Sequence, residues 1–376
     1  MTTIVKARSA ADFLSLVPHL LGFHPHDSLV LVPFDGSRSL GVMRFDLPAA
    51  DSDVESIAAT VIGLACRVSS ADAVAIVVYT PETLKAASIP QRAFVDALRS
   101  RADACGLRLT DALCVGGDAW GSYLEPATPA RLRPLTDLDD EPAGLAPPDD
   151  DVATGAELPP ASEAERAAVA DALASLTAAL AKTCGVDARP AGPERGIPAD
   201  QRIDPRAFDG ASGLDDLPGL FEDALGWDAA SPRPFDAAVL AWCLSRPALR
   251  DVALLQWGWG LAVGDEALEA QLRWEEGEPY SLPLASKMWG EGDRPDIGRL
   301  ERALELLRVV ASRSPIEYRA GALTAAAWIS WALGRSTHAD LYASRACDAD
   351  PEYRFAELIR ALVAAGHLPD WAFRRA

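Results

Sequence analysis

The sequence predicts a two-part protein. An α/β domain with a mixed sheet and flanking helices is followed by an all-α domain that carries a tetratricopeptide-like helical hairpin. Three observations in the 376-residue chain predict this. Helix and strand signals alternate over residues 1–125, an acidic Pro- and Gly-rich linker covers 126–160, and apolar spacing from 161 to 376 is almost wholly helical, most clearly over 297–376.

The first helix opens at Ser9, with Asp12 at capping-box spacing, and its apolar stripe is Phe13, Leu14, Val17, Leu20 and Leu21. Pro18 must kink or tighten it, and Gly22 ends it. "SLVLVPF" and "SLGVMRFDL" flank "DGSR", where Asp-Gly supplies hairpin geometry. Val54, Ile57, Ala58, Val61, Ala65 and Val68 mark an amphipathic helix. "AVAIVVYT" is an unbroken apolar run, the pattern of a central strand covered on both faces. Phe94, Val95, Leu98 and Ala102 mark another helix, "LRLTDALCV" alternates as a strand, and "GGDAWGSYL" turns back as the next.

In the second part, Ser162 with Glu165 opens an alanine-rich helix, and further helices fit residues 213–225, 235–246 and 248–262. The region from 297 reads as four helices with short breaks, hence antiparallel neighbours. Gly334, Ala339, Ala346 and Pro351 fall at the offsets of one tetratricopeptide unit, in which small residues let helices approach and a proline opens the next repeat.

Composition narrows function. Hydrophobic residues at 49% and charged residues at 24% are those of a globular protein. Arginine dominates the cations, with lysine only at 6, 85, 182 and 287, which with the abundant alanine suggests a GC-rich bacterial genome. A formal charge of −20 argues against nucleic acid and anionic membranes, both polyanions. The N-terminus lacks a signal-peptide pattern, and no run reaches the ~20 apolar residues of a bilayer span. Six scattered cysteines without C-x-x-C spacing read as reduced, mostly buried thiols of a cytoplasmic protein.

Candidate chemistry concentrates in "HLLGFHPHDSLVLVPFDG". His24 and His26 straddle Pro25, so in extended chain they point to one face, with Asp27 beside them and His19 on the preceding helix. Zinc needs three or four converging ligands, and this stretch by itself offers two, so no metal and no cofactor are expected. Arg44 and Asp46 alternate on one face of a strand and extend the candidate ligand-binding set of His24, His26 and Asp27. Asp111 interrupts an apolar face but is expected to precede the strand and stay exposed, and Cys114 is expected in the core. Phosphate-loop, dinucleotide, zincin and esterase motifs are absent. Aromatics one turn apart on an alanine-rich helix are usually core, with a partner-binding ridge as the minority reading; Trp328 and Trp331 are the candidate partner-binding residues on that second reading.

"SAADFLSLVPHLLGFHPHDSLVLVPF", "MRFDLP", "RPALRD", "LTAAAWISWALGR" and "CDADPEYRFAELI" resemble a bacterial family of GC-rich Gram-positive species, the domain of unknown function four-one-nine-two. The resemblance runs from about residue 8 to the C-terminus. Family members carry a cysteine-rich stretch after the tyrosine of "WGSYL", whereas Tyr123 here is followed by "LEPATPARLRPL", so a metal or redox role there does not transfer. The family implies no established activity.

These readings lead to a cytoplasmic, non-catalytic interaction or regulatory protein that binds a protein partner or a second copy through its C-terminal helices. The alternative is an enzyme or small-molecule sensor with a polar site near His24, Asp27, Arg44 and Asp46. Exposed apolar surface on the helical part favours the first, and a concave pocket lined by those polar groups favours the second.

Overall fold

A computed structural model describes residues 7–49, 51–85, 88–125, 131–138, 145, 147–184 and 205–374. Parts of the expected linker (126–130, 139–144 and 146) lie outside the described residues. The chain forms two compact units, Met1–Thr154 with Phe373–Ala376, and Gly155–Ala372.

In the first unit, α1 (Ala10–Leu21) has the expected ends. Ser9 Oγ accepts from the Asp12 amide, and Gly22, at φ 85°, donates its N–H to Pro18 O. β1 (Ser28–Asp35) turns through Gly36 into β2 (Arg38–Ser39). Where the sequence predicts one returning strand there are two, because Gly41 at φ 139° breaks the ladder before β3 (Met43–Asp46) pairs with the first half of β1. Then come α2 (Val54–Cys66), β4 (Ala73–Tyr79), α3 (Arg92–Ala104), β5 (Arg108–Val115), β6 (Ala119–Ser122) and β7 (Arg133–Pro134). Strand order is β2-β1-β4-β5-β6-β7, with β3 also on β1; β4 and β5 run parallel and the other pairs antiparallel. β7 comes from the stretch expected to be linker.

Both faces of the sheet are covered, which is why every residue of β4 is buried. α2 and α3 pack Val61, Ile62, Phe94 and Leu98 on Leu29, Leu31, Ile76, Val78 and Cys114. α1 packs Leu14 and Val17 on Val30, Val32, Val77, Tyr79 and Leu113. Cys114 is thus core, as expected, and burial pushes its thiol up to about 11. Asp111 corrects the sequence expectation. It lies inside β5, half-buried, because a bulge at Thr110 shifts the register between Val74 and Ala75 and resets the alternation of faces. Desolvation raises its carboxyl above the usual range.

The second unit is helical: α4 (Glu163–Cys184), α5 (Pro205–Ser212), α6 (Leu217–Ala224), α7 (Pro234–Leu244), α8 (Pro247–Trp259), α9 (Leu261–Glu275), α10 (Leu282–Met288), α11 (Ile297–Arg313), α12 (Ile316–Ala332), α13 (Ser336–Ala349) and α14 (Arg354–Ala364). The capping box at Ser162 and Glu165 forms in both directions. Gly260, at φ 95°, separates α8 from α9.

α12 runs through the centre of this unit and is buried nearly all round. Gly321 permits its approach to α7, since a Cβ there would sit 2.1 Å from Leu244 O. Trp328 and Trp331 are 1% and 0% exposed, and their indole N–H groups donate to Met288 O and His367 O at 3.0 and 2.8 Å. The expectation of an exposed tryptophan ridge is therefore corrected. α10 and the segment after α14 close over α12, and Trp371 folds back against Trp331 and Trp259.

Arg299 on α11 holds Glu222 on α6 through two hydrogen bonds of 2.6 and 2.7 Å and also donates to the last carbonyls of α8, Gln256 and Trp257. These hydrogen bonds bring the Glu222 carboxyl down to about 2 from an ordinary 4.5, against the opposing effect of burial. A carboxyl depressed in the folded state stabilises above its unfolded pKa, and that contribution fades as pH falls from about 4.5 toward 2. Glu222→Gln is accordingly expected to lower the melting temperature at pH 7 by ~3 °C. The gap to wild type should narrow steadily in melts at pH 5, 4 and 3; a gap independent of pH would refute the ion-pair account.

Candidate functional site

After Gly22 the chain leaves α1 and crosses the end of the sheet before entering β1. Residues 147–150 anchor this crossing: His24 N–H donates to Asp149 O and Asp149 N–H to Gly22 O, both at 2.8 Å. Pro25 is buried, whereas Asp27 is exposed in the left-handed region at φ 45°. Asp tolerates that conformation better than most residues, yet it still carries strain. Ser28 then starts β1, giving its hydroxyl proton to His26 O at 2.6 Å and accepting from Arg44 Nε at 2.8 Å.

The crossing passes over the C-terminal ends of the parallel strands β4 and β5, where α/β sheets hold ligands. Tyr79 ends β4 beside Ser28 and Val115. Thr80 N–H donates to Val115 O at 3.0 Å, tying the two strand ends together. The loop after β4 then runs hard against the glycine pair after β5. A Cβ on Gly117 would lie 2.7 Å from Pro81 O, and one on Gly116 2.8 Å from Glu82 O. These glycines serve close loop contact.

A cavity of about 620 Å³ lies between this sheet end, α1 and the crossing. Leu14, Pro18, Pro25, Val115, Leu135 and Leu138 supply apolar wall; His19, His24, His26, Asp27, Thr80 and Asp150 supply polar groups. Tyr79 belongs to the wall as well. It is 9% exposed, and its hydroxyl is buried without a hydrogen-bond partner. Burial pushes this phenol well above the usual range. An unsatisfied buried hydroxyl costs ~1–3 kcal/mol, so Tyr79 is held at the cavity by its packing and not by a hydrogen bond.

The predicted site divides. His24, His26 and Asp27 come together on the cavity, joined by His19. Arg44 and Asp46 are not among its lining residues; they pair with each other at 2.7 Å, and Asp46 is 84% exposed. Among the described residues, no group of three or more His, Cys, Asp or Glu side chains stands so as to hold a metal ion. Sequence reasoning missed Tyr79, Thr80 and Asp150. Tyr79 had a signal, being the hydroxyl that ends an otherwise apolar strand, whereas Asp150 was hidden in the acidic stretch. A second cavity of about 820 Å³ in the helical unit is bordered by Trp227, Phe235 and the Arg233–Asp236 ion pair, whose charges satisfy each other.

The family model of the domain of unknown function DUF4192 matches residues 11–370. The chain belongs to DUF4192. Nothing among curated proteins or solved structures matches it. The match covers most of both units.

The strain at Asp27 is testable in this DUF4192 protein. Asp27→Gly is expected to leave the melting temperature unchanged or slightly raised, because glycine adopts φ 45° freely. Asp27→Val should lower stability by ~1–2 kcal/mol in denaturant titrations. Equal stability of the valine variant and the wild type would show the backbone there to be unstrained.

Proposed function

We propose that this DUF4192 protein is a cytoplasmic regulatory protein whose α/β unit binds a small organic molecule in the cavity beside His24, His26 and Asp27. The observation that carries this reading is the 620 Å³ cavity over the ends of the parallel strands, whose wall gathers His24, His26, Asp27 and Tyr79. That volume falls in the range of small-molecule sites, and so does a mostly apolar wall with a few polar groups. Among the described residues the lining includes carboxylates, imidazoles and hydroxyls but neither arginine nor lysine. Such a wall suits a neutral or cationic hydrogen-bonding ligand better than a phosphate. No helix among the described residues is long and apolar enough to cross a membrane.

In this reading the helical unit is the interaction part. Leu272 and Trp274 on α9 are 55% and 52% exposed, and Leu282 on α10 is 79% exposed, more apolar surface than a solvated helix needs. We read α12 and α13 as a tetratricopeptide-like hairpin. Gly334 turns between them at φ 79°, and Ala339 and Ala346 are fully buried.

Native mass spectrometry of protein purified from its own host tests the ligand reading. A stoichiometric adduct on wild type that is missing from the His24→Ala/Asp27→Gly double variant is expected. No adduct on wild type, together with no thermal shift from a library of small amines, sugars and alcohols, would sink it.

A further inference from the structure

Cys66 and Cys105 are far apart in sequence and were expected among scattered, mostly buried thiols. In the structure both are exposed. Cys66 is the last residue of α2, and Cys105 caps the C-terminus of α3. The topology explains their meeting. α2 connects β3 to β4 and α3 connects β4 to β5, so two successive crossovers on one face of the sheet lay the helices side by side with their C-terminal ends together. The two side chains stand close enough to interact electrostatically.

Burial, and then the neighbouring Cys105 thiol, pushes the Cys66 thiol up to about 11. Cys114 and Cys243, by contrast, are buried and out of reach of solutes.

We propose that Cys66 and Cys105 form a reversible dithiol site that reacts with low-molecular-weight disulfides to give an intramolecular disulfide between α2 and α3. One cysteine of the pair, as thiolate, attacks one sulfur of the small disulfide; a new S–S bond forms, the old one breaks, and one small thiolate leaves. The other cysteine, losing its proton as it attacks, then displaces the second small thiolate from the first. Two protein thiols are oxidised, one small disulfide is reduced to two thiols, and the two protein protons go to the released thiolates. The product links two helix ends already in contact, as disulfide formation requires. The site is independent of the cavity, which lies at the other end of the strands.

Oxidised glutathione serves as the probe. Full-length reduced protein is incubated with it, the remaining thiols are alkylated, and peptides are mapped by mass spectrometry without reduction. The expected result is a Cys66–Cys105 bridge with loss of two hydrogens, reversed by a thiol reductant. A rise in melting temperature of ~5 °C should accompany it, because the bridge restricts the unfolded chain. Cys66→Ser and Cys105→Ser should each abolish the bridge and trap glutathione on the remaining cysteine as a stable mixed disulfide. Independent glutathionylation of both wild-type cysteines without a bridge, bridging of either to another cysteine, or no reaction at either would overturn the proposal.

Discussion

Trp331→Ala is expected to destabilise the helical unit by ~3–5 kcal/mol, the cost of emptying an indole-sized space in a core that cannot fully collapse. Trp331 is completely buried, tilted against Trp328 and Trp371 at ring separations of 6.5 Å, and stacked on the His367 imidazole. Its N–H satisfies His367 O, so the alanine variant also strands a carbonyl acceptor. Gly290 follows the contour of this ring: a Cβ there would lie 2.6 Å from the indole. The loss should appear as a lower midpoint in urea titration, with Trp331→Phe intermediate. Trp274→Ala, on an exposed side chain, should stay within ~0.5 kcal/mol of wild type. The opposite ranking would mean that Trp331 is not the core residue its burial indicates.

Why the sequence misplaced this tryptophan pair is instructive. Spacing of one helical turn shows that Trp328 and Trp331 share a face of α12, but not what covers that face. The cover comes from α10 and from Trp371, which are distant in sequence. α12 has no polar face to mark a solvent side: Gly321, Ala322, Ala325, Ala326 and Ala327 are small residues that read as neutral, yet they are buried because neighbouring backbones come close. Local signals fared better where the physics is local. Ser9 and Gly22 bound α1, Ser162 and Glu165 open α4, and the unbroken apolar run of β4 marks a strand covered on both faces.

The candidate site was legible to the extent that one short segment builds it. His24, His26 and Asp27 stand within four residues, and the chain turn that places them is written in Gly22 and Pro25. Tyr79, Thr80 and Asp150 reach the same cavity through the sheet and through the bridge at Asp149, neither of which leaves a mark on sequence spacing. Arg44 and Asp46 were drawn in by strand alternation, which gives a shared face but not a position along the strand. The bulge at Thr110 misled for a related reason, since one extra residue inverts the faces on either side of it. The thiol pair was invisible because crossover topology, not spacing, brings Cys66 to Cys105.

The second large effect is expected at Arg250, whose side chain is 5% exposed. "RPALRD" and "CDADPEYRFAELI", two segments of the family resemblance, meet at this residue. Its guanidinium donates to Asp251 Oδ1 at 2.7 and 2.8 Å and to the Tyr353 hydroxyl at 2.7 Å, and it lies 4.5 Å over the Phe355 ring. The start of α8 is thereby fastened to the start of α14. Arg250→Ala removes the only cation bonded to Asp251 among the contacts described, along with the stem that fills the space above Phe355. A loss of ~2–3 kcal/mol is expected, mainly from the buried arginine stem and its bond to Tyr353, because the Asp251 side chain is 36% exposed and can be solvated when left alone. Arg250→Lys should recover little, because an ammonium cannot bridge carboxylate and phenol in one plane while stacking on a ring. Asp251 behaves differently. Burial raises its carboxyl above the usual range despite the arginine, while 36% of the side chain still meets water. Asp251→Asn, which keeps an acceptor and drops the charge, should therefore change stability by under ~1 kcal/mol. Urea titration of the three variants at pH 7 decides the matter: equal losses for Arg250→Ala and Asp251→Asn would show the contact to be an ordinary ion pair, and a loss below ~1 kcal/mol for Arg250→Ala would show that α14 is held by its apolar face alone.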